Sequence, residues 1–198
     1  MVPPSKEPPF LYQLEITLLE IQPPIWRRIQ VPDTLLLCCL HDALQAVFGW
    51  TDSHLHQFVK GDTYWSNPEW YEDYDDIEVI DESRVRISRV LKTEGDSVRY
   101  DYDFGDNWQH EIVLEKILPA SAPRPSPKCL GGARHRPPED VGGTGGYEEF
   151  LEVIFDPTHE DYEHYSAWAG GSFQPEEFDV NAVNQVLSRM RWPARHRR

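Results

Sequence analysis

Residues 97–118, SVRYDYDFGDNWQHEIVLEKIL, constrain the fold more than any other stretch of the chain. Apolar and aromatic side chains occupy alternate positions before a Gly-Asp-Asn turn, and apolar side chains follow it. Alternation with a period of two is typical of a half-buried strand, and a short polar turn between two such runs predicts a β-hairpin. The residues on the apolar face are Val98, Tyr100, Tyr102, Phe104, Ile112 and Leu114.

The N-terminal part of the chain predicts a second antiparallel pair. Residues 12–18 and 25–31 both alternate between apolar and polar side chains. Pro23 and Pro24 lie between these runs, and proline is confined to bends or bulges at such a point. Residues 54–59, HLHQFV, alternate as a further strand, which would direct His54 and His56 to the same face.

Helices are predicted both early and late in the chain. Residues 37–48 carry apolar side chains at helical spacing, with Asp33 or Thr34 as the candidate N-cap and Gly49 as the stop. Further helices are expected over residues 147–155, 160–168 and 179–190, the last capped by Asp179. Strands lead and helices follow, so we expect an α+β fold in which helices pack on one face of an antiparallel sheet. One domain should span residues 10–190, followed by a basic tail over residues 191–198.

The charge of the chain limits its partners. It has 19 basic and 34 acidic residues and a net charge of −15. Residues 189–198 hold five of the positive charges and no acid, which leaves −20 on the rest of the chain. Such a surface repels phosphate backbones, so non-specific nucleic-acid binding by the main body is not expected. The tail would either contact nucleic acid or an acidic partner, or simply be solvated.

The number of cysteines and the hydropathy of the chain predict the cellular compartment of the protein. Three cysteines, of which Cys38 and Cys39 are adjacent, do not make a disulfide framework. No apolar run approaches about 18 residues, and the first residues lack the apolar core of a signal peptide. The expectation is a soluble, cytoplasmic protein that does not enter a membrane.

Polar residues near the hairpin turn form the candidate site, together with two acids of a later loop and one arginine. Imidazole and carboxylate groups are ligands of divalent transition metals, and a His-x-His pair on a strand directs two rings to one side. The alternative is that these side chains form hydrogen bonds with the main chain and close turns. The candidate polar site comprises Asp103, Asp106, His110, Glu139, Asp140 and Arg27, and the candidate metal ligands are His54, His56 and His110.

Residues 69–82 form an acidic segment that could bind a partner. They include eight acids and no lysine or arginine. Large aromatic side chains often anchor protein interfaces. Trp70, Tyr71 and Tyr74 are therefore candidates for contact with another protein.

Five ordered blocks of the sequence, covering residues 12–187, resemble the plasmid ORF-three-like family, named for an open reading frame on a root-inducing plasmid. The blocks are PPIWRRIQVP, LHDALQAVFGWTDSHLHQF, YDFGDNWQHEI, CLGGARHRPPEDVGGTGGYEEFL and WAGGSFQPEEFD. The resemblance implies an α+β domain of bacteria and archaea, often encoded near plasmids or insertion elements and in some members labelled resolvase-like. Members often carry cysteines around the PPED block, where Arg136 and Val141 stand here, so a cysteine-based metal site is not expected.

Three hypotheses of function follow. The leading one is a binding or adaptor module with an acidic surface, associated with plasmids or mobile elements. The second is a metal-dependent hydrolase or nuclease that uses the His/Asp/Glu cluster. The third is a nucleic-acid-associated accessory factor that acts through the basic tail.

Overall fold

One mixed sheet runs through the computed structural model, which describes residues 10–71, 78–122 and 125–192. Within these residues it has eight strands: β1 (Phe10–Leu18), β2 (Ile25–Pro32), β3 (His56–Lys60), β4 (Thr63–Ser66), β5 (Val79–Asp81), β6 (Ser97–Tyr102), β7 (Trp108–Pro119) and β8 (Lys128–Ala133). The helices are α1 (Leu37–Phe48), α2 (Ile87–Val90), α3 (Gly143–Phe155), α4 (Tyr162–Trp168) and α5 (Val180–Arg189).

The strand order is β5-β4-β3-β6-β7-β1-β2-β8. The pair β4–β5 is parallel, and the other neighbouring pairs are antiparallel. The α+β class is confirmed, and the expectation of a wholly antiparallel sheet needs correction at β5. That strand runs parallel to its neighbour β4. The packing of all the helices on one face of the sheet stays a prediction.

The two predicted strand pairs and the first helix form where the apolar pattern places them. Leu14, Ile16 and Leu18 of β1 are fully or almost fully buried. Helix α1 ends at Gly49, whose left-handed backbone lets its N–H bond to the Gln45 carbonyl. The predicted N-cap at Asp33 or Thr34 is wrong, because the helix starts after Leu36 without a side-chain cap. Asp33 instead accepts a bond from the main-chain N–H of Phe10.

The central hairpin is confirmed, but its turn begins earlier than the alternation suggests. Strand β6 stops at Tyr102, which pairs with Trp108 of β7. Asp103 and Asn107 adopt positive φ angles of 58° and 56°, which take the chain out of the sheet. Phe104 therefore does not join the apolar face and is 43% exposed.

Helix α5 packs against β8, the strand at one edge of the sheet. Asp179 caps α5 as predicted, accepting bonds from the N–H groups of Asn181 and Ala182. From α5, Asn184 bonds to both main-chain groups of Cys129 in β8, at 2.9 Å to N and 2.8 Å to O. Trp192 packs on the core and donates to the Leu187 carbonyl, so packed chain continues past the predicted boundary at residue 190. Residues 193–198, the rest of the basic tail, lie outside the described residues.

Two adjacent arginines of β2 have opposite environments. Arg27 is 2% exposed and donates four hydrogen bonds, all to main-chain carbonyls. Its guanidinium lies over the Phe48 and Phe178 rings, and burial lowers its pKa to about 10. Arg28 is half-buried and pairs with Glu15 of the neighbouring strand β1 and with Glu115 of β7, the strand beyond it.

Two histidines of the core are held neutral by burial. His110 of β7 is fully buried, and the loss of solvation lowers its pKa from 6.5 to about 4. His41 of α1 bonds to the Tyr100 hydroxyl, and burial, followed by the charge of His56, lowers its pKa to about 4 as well. Protonation of either imidazole therefore opposes folding.

Within the described ranges, the model contains no helix of the length and apolar character needed to span a lipid bilayer.

We predict that R27K will lower the free energy of unfolding by about 2 to 4 kcal/mol, because lysine cannot reach four carbonyls and leaves buried acceptors without donors. R28K is the matched control on the same strand and should cost less than about 1 kcal/mol, since partly exposed ion pairs contribute little. Urea denaturation of the two variants measures the difference. Equal losses would show that the Arg27 bonds add little to stability.

We also predict that stability will decrease on acidification between pH 7 and pH 5. The unfolded chain binds protons at His41 and His110 near pH 6.5, whereas the folded chain binds them near pH 4. The stabilising contribution is therefore present above about pH 6.5 and is lost as the pH falls, by about 2 to 4 kcal/mol in total at pH 5. Urea unfolding at both pH values measures it, and H41N should flatten the dependence. A profile that is flat in the unmodified chain would contradict the assignment.

Candidate functional site

The candidate site forms where three loops meet at one end of the central hairpin. The first loop, residues 49–55, joins α1 to β3, and the second, residues 103–107, is the hairpin turn. The third is the PPED loop, residues 137–140, which precedes α3. Below them the Trp50 ring lies 5.8 Å from Trp108 and 5.3 Å from Tyr102, measured between ring centroids. The polar loops lie above these packed aromatic rings.

The hairpin turn is closed by its own carboxylates. Asp103 accepts a bond from the Gly105 N–H at 2.9 Å, and its own N–H bonds to the Leu55 carbonyl. Asp106 accepts a bond from the Gly142 N–H, which ties the turn to the start of α3. Asp103 thus faces the first loop, whereas Asp106 acts as a brace between the turn and the glycine-rich segment.

The PPED loop is anchored by Arg136 and presents Glu139. The Arg136 guanidinium lies over the Trp50 ring and donates to the Gly49 carbonyl. Glu139 Oε1 accepts bonds from the main-chain N–H of Thr51 at 2.8 Å and from its hydroxyl at 3.0 Å. The Tyr102 hydroxyl is a third donor at 3.5 Å. One oxygen of Glu139 is therefore fixed in place.

The second oxygen of Glu139 is buried and has no hydrogen-bond partner among the described residues. It lies 3.9 Å from Nε2 of His54. Burial of a carboxylate oxygen without a donor is unfavourable unless a cation or a water satisfies it. The loop therefore holds an acceptor oxygen that faces the imidazole of His54.

The His54 ring lies between three carboxylates. Nδ1 is 3.6 Å from Asp103 Oδ1, and Nε2 is 3.1 Å from Asp140 Oδ1. His54, Asp103 and Asp140 each offer a ligand atom within 4.8 Å of the other two, and they are the one such group of three or more found among the described residues. Within the described part of the chain, Nε2 makes no hydrogen bond, despite its short distance to Asp140.

The distance between His54 and Asp140 fits two atoms that share a common ion. Ligands placed about 2.0 to 2.2 Å from a metal are themselves separated by about 3.0 to 3.5 Å in tetrahedral or octahedral geometry. The Nε2–Asp140 distance of 3.1 Å lies in that interval. Nδ1 faces Asp103, which suits a carboxylate that accepts the Nδ1 hydrogen and orients the ring for coordination through Nε2.

An open depression of about 540 Å³ adjoins the His54 cluster. Leu55 and Phe104 are 42% and 43% exposed beside it. Among the described residues, no lysine or arginine contributes to its lining. The lining consists of Asp52, Ser53, His54, Leu55, Trp70, Asp103, Phe104 and Gly105.

The expected three-histidine centre is not formed. His56 is buried, its Nε2 lies 3.1 Å from both oxygens of Glu82, and its ring stacks on His41 at 3.5 Å. Strand β3 begins at His56, so His54 lies in the preceding loop and does not share a strand face with it. The prediction from the alternation over residues 54–59, that His54 and His56 point to the same face of a strand, is therefore wrong for His54.

His110 and Arg27 were also predicted to belong to the site, and the structure places both elsewhere. His110 lies inside the core, with Nδ1 near the Tyr100 carbonyl and Nε2 accepting from the Trp50 indole. Arg27 bonds to carbonyls of α1 and β8 and to none of the site acids. Both residues support the elements beneath the site and do not take part in it. Of the predicted polar site, the structure brings together Asp103, Glu139 and Asp140 around His54, with Asp106 as a brace.

The acidic segment is only partly described. Trp70 lies at the depression, with its ring 5.2 Å from that of His56, and it is half-buried. The Tyr71 hydroxyl donates to the Gln57 side chain. Tyr74 lies outside the described residues. Contact of this segment with another protein stays a prediction.

Some residues of this region were not singled out by the sequence. Thr51 and Tyr102 position Glu139, and Glu82 is the partner of His56. Thr51 follows the helix stop at Gly49 by two residues, which is a weak signal. The position of Glu82 beside His56 depends on the parallel pairing of β5 with β4, which no local pattern indicates.

A family profile described as "Plasmid pRiA4b ORF-3-like protein" matches residues 11–182, which confirms the resemblance seen in the five sequence blocks. The uncharacterised protein y4hQ of Sinorhizobium fredii (strain NBRC 101917 / NGR234) is 41% identical over 173 residues, which are 87% of this chain and 85% of that protein. The crystal structure of MM3350 from Methanosarcina mazei Go1, a protein of unknown function, has a TM-score of 0.80 and 39% identity, covering 89% of this chain and 97% of that one.

We predict that G143A will destabilise the protein by about 1 to 3 kcal/mol, since Gly143 has a φ of +69° and an added Cβ would lie 2.7 Å from the Asp106 carbonyl. G145A in the same helix is the control. It meets nothing within 4 Å and should be neutral or stabilising by up to about 1 kcal/mol. Thermal or urea unfolding measures both. Similar effects of the two substitutions would show that the contact between the hairpin turn and α3 is loose.

Proposed function

We propose that this chain, which belongs to the plasmid pRiA4b ORF-3-like family, binds a divalent transition-metal ion at His54, Asp103 and Asp140. The observation that carries the proposal is the convergence of these three side chains from two loops and the hairpin turn. The unpartnered oxygen of Glu139 beside them supports it, because that buried oxygen accepts no hydrogen bond from the described residues.

The donor set favours zinc, manganese or iron over calcium or magnesium. An imidazole nitrogen is a borderline ligand that suits transition ions, whereas calcium and magnesium take oxygen ligands. His54 is the nitrogen donor, and the carboxylates lower the local potential around it. The Asp103 and Asp140 carboxylates face the two ring nitrogens of His54 and supply negative charge near a divalent ion.

The loops are built to hold this geometry without the ion. Asp103 and Asp140 have positive φ angles of 58° and 56°, a conformation that aspartate and asparagine adopt more readily than most residues. Asp103 is further fixed by Gly105. A prearranged site loses little conformational entropy on binding, which favours affinity.

A metal site would be compatible with two of the functions that the sequence suggests. A binding module with an acidic surface would use the ion structurally, and a metal-dependent hydrolase would use it to activate water. An accessory factor that binds nucleic acid is less favoured, because the net charge outside residues 189–198 is −20. Association with plasmids or mobile elements is part of the same proposal and rests on the family name alone.

We predict that the purified protein will bind one equivalent of Zn²⁺ or Mn²⁺ in isothermal titration calorimetry. H54A, D103N and D140N should each weaken binding by about 10-fold or more, since each removes a ligand or its orienting partner. The asparagine variants retain both the shape and the left-handed backbone, so a loss of affinity reports on charge. Circular dichroism checks that each variant is folded.

Matched controls are H164A and D161N, which change an exposed histidine and an exposed aspartate of the α4 region. Both should bind the ion as the unmodified chain does. Absence of binding in the unmodified chain, or equal affinity in D140N and D161N, would overturn the proposal. Elemental analysis of protein purified without added metal gives an independent measurement.

A further inference from the structure

We propose that the depression beside His54 binds an arginine side chain of another polypeptide. The guanidinium lies over the indole of Trp70 and against the carboxylates of Asp52 and Asp103. This inference gives a chemistry to the partner predicted for residues 69–82, and it does not rest on the metal site. Three observations carry it: an unpartnered oxygen of a buried carboxylate, a second carboxylate fixed by α1, and an indole in the same depression.

Asp103 supplies an acceptor that lacks a donor. The residue lines the depression and is only 6% exposed. Its Oδ1 accepts a bond from the Gly105 N–H at 2.9 Å and lies 3.6 Å from His54 Nδ1, whereas Oδ2 accepts no hydrogen bond from the described residues. A carboxylate oxygen in so nearly buried a side chain is unfavourable without a donor. A ligand that brings N–H groups into the depression satisfies it.

Asp52 supplies a second carboxylate of the depression, and α1 fixes its position. The Asp52 N–H donates to the side-chain oxygen of Gln45 at 2.8 Å, and Asp52 Oδ1 lies 2.9 Å from His41 Nε2. The His41 ring is held in turn by the Tyr100 hydroxyl at 2.8 Å. The Asp52 side chain is still 64% exposed, so it is open to a ligand. A carboxylate that is already ordered loses little entropy when a partner binds.

Trp70 adds an aromatic surface to these two carboxylates. Its half-buried indole lines the same depression, and its ring packs edge to face with that of His56 at 5.2 Å. Tryptophan is the side chain that attracts a cation over its ring most strongly. A guanidinium is planar, stacks on aromatic rings and pairs with carboxylates through a fork of N–H groups. The combination of residues therefore favours arginine over lysine.

The charges around the depression also favour a cation. Among the described residues that line it, there is no lysine or arginine, and polar atoms supply more of its surface than apolar atoms do. Trp70 belongs to residues 69–82, which hold eight acids and no basic residue. The chain as a whole has a net charge of −15, which attracts cationic partners from a distance and repels anionic ones.

The shape of the depression favours a side chain presented by a polypeptide over a free small molecule. The depression is open and measures about 540 Å³, whereas sites for small ligands usually enclose most of the ligand. Leu55 and Phe104 also line it and are 42% and 43% exposed. They are available for contact with the residues on either side of a bound arginine, which free arginine does not have.

The test is an NMR titration of the full ¹⁵N-labelled chain in EDTA with four probes. These are the peptide Ac-Ala-Arg-Ala-NH₂, its citrulline and lysine analogues, and free L-arginine. Citrulline has the shape of arginine without the charge. We expect the arginine peptide to bind about 10-fold more tightly than the citrulline peptide, and about 3-fold more tightly than the lysine peptide or L-arginine. An increase in NaCl from about 0.02 M to about 0.3 M should weaken binding.

Variants locate the bound peptide. D52N, D103N and W70L should each weaken binding of the arginine peptide by about 5-fold or more. The asparagine side chains retain the shape of aspartate, so their effect reports on charge. D161N and W168L change an exposed aspartate and an exposed tryptophan of the α4 region, and both should bind as the unmodified chain does. Circular dichroism checks that each variant is folded, and the two asparagine variants keep the test valid if W70L is not.

The outcomes separate this inference from the proposed function. If the arginine peptide does not bind, or binds no more tightly than the citrulline peptide, this inference fails and the metal site stands. Equal affinity for L-arginine and the arginine peptide would overturn the assignment to a polypeptide. Equal losses in D161N and D52N would show that the peptide binds to the acidic surface in general and overturn the assignment to the depression. Peptide binding by a chain that binds no metal would contradict the proposed function alone.

Discussion

A single buried guanidinium joins the parts of the molecule on which the site rests. Arg27 of β2 donates to the Val47 carbonyl at the end of α1 and to the Ala133 and Arg134 carbonyls at the end of β8. A buried cation is tolerated only when its donors are satisfied, so the ends of these elements must stay together. Gly49 follows directly after α1, and the first loop of the site begins there. The position of His54 thus depends on a residue that does not touch it.

Much of the fold could be predicted because local patterns in the sequence indicate its strands and helix ends. Alternation gave β1, β2 and the central hairpin, and the stop at Gly49 and the cap at Asp179 are local signals as well. The errors arose where a tertiary contact competes with the pattern. Asp103 bonds to Gly105 and Leu55, so the strand stops before Phe104. The parallel pairing of β5 with β4 has no signature in the sequence.

The site could be predicted only in part, because the sequence does not show which polar side chains are buried. The turn acids and the PPED block were recognisable by residue type, and Asp103, Glu139 and Asp140 do lie around His54. Three histidines were grouped by chemistry alone, although imidazole serves equally well as a buried hydrogen-bonding ring. Burial decides between these roles, and sequence spacing does not reveal it. His110 is enclosed by Trp50, Phe48 and Tyr100, whereas His54 is only partly buried and lies between carboxylates.

The contact between Asn184 and β8 bears on how copies of the protein behave toward one another. Exposed sheet edges offer unpaired main-chain groups to other chains and promote aggregation and domain swapping. The Asn184 carboxamide bonds to both main-chain groups of Cys129, as a neighbouring strand would. An incoming strand would have to displace α5 to pair at this residue. A side chain on a helix thereby protects the outer strand from lateral growth of the sheet, without a further strand to cover it.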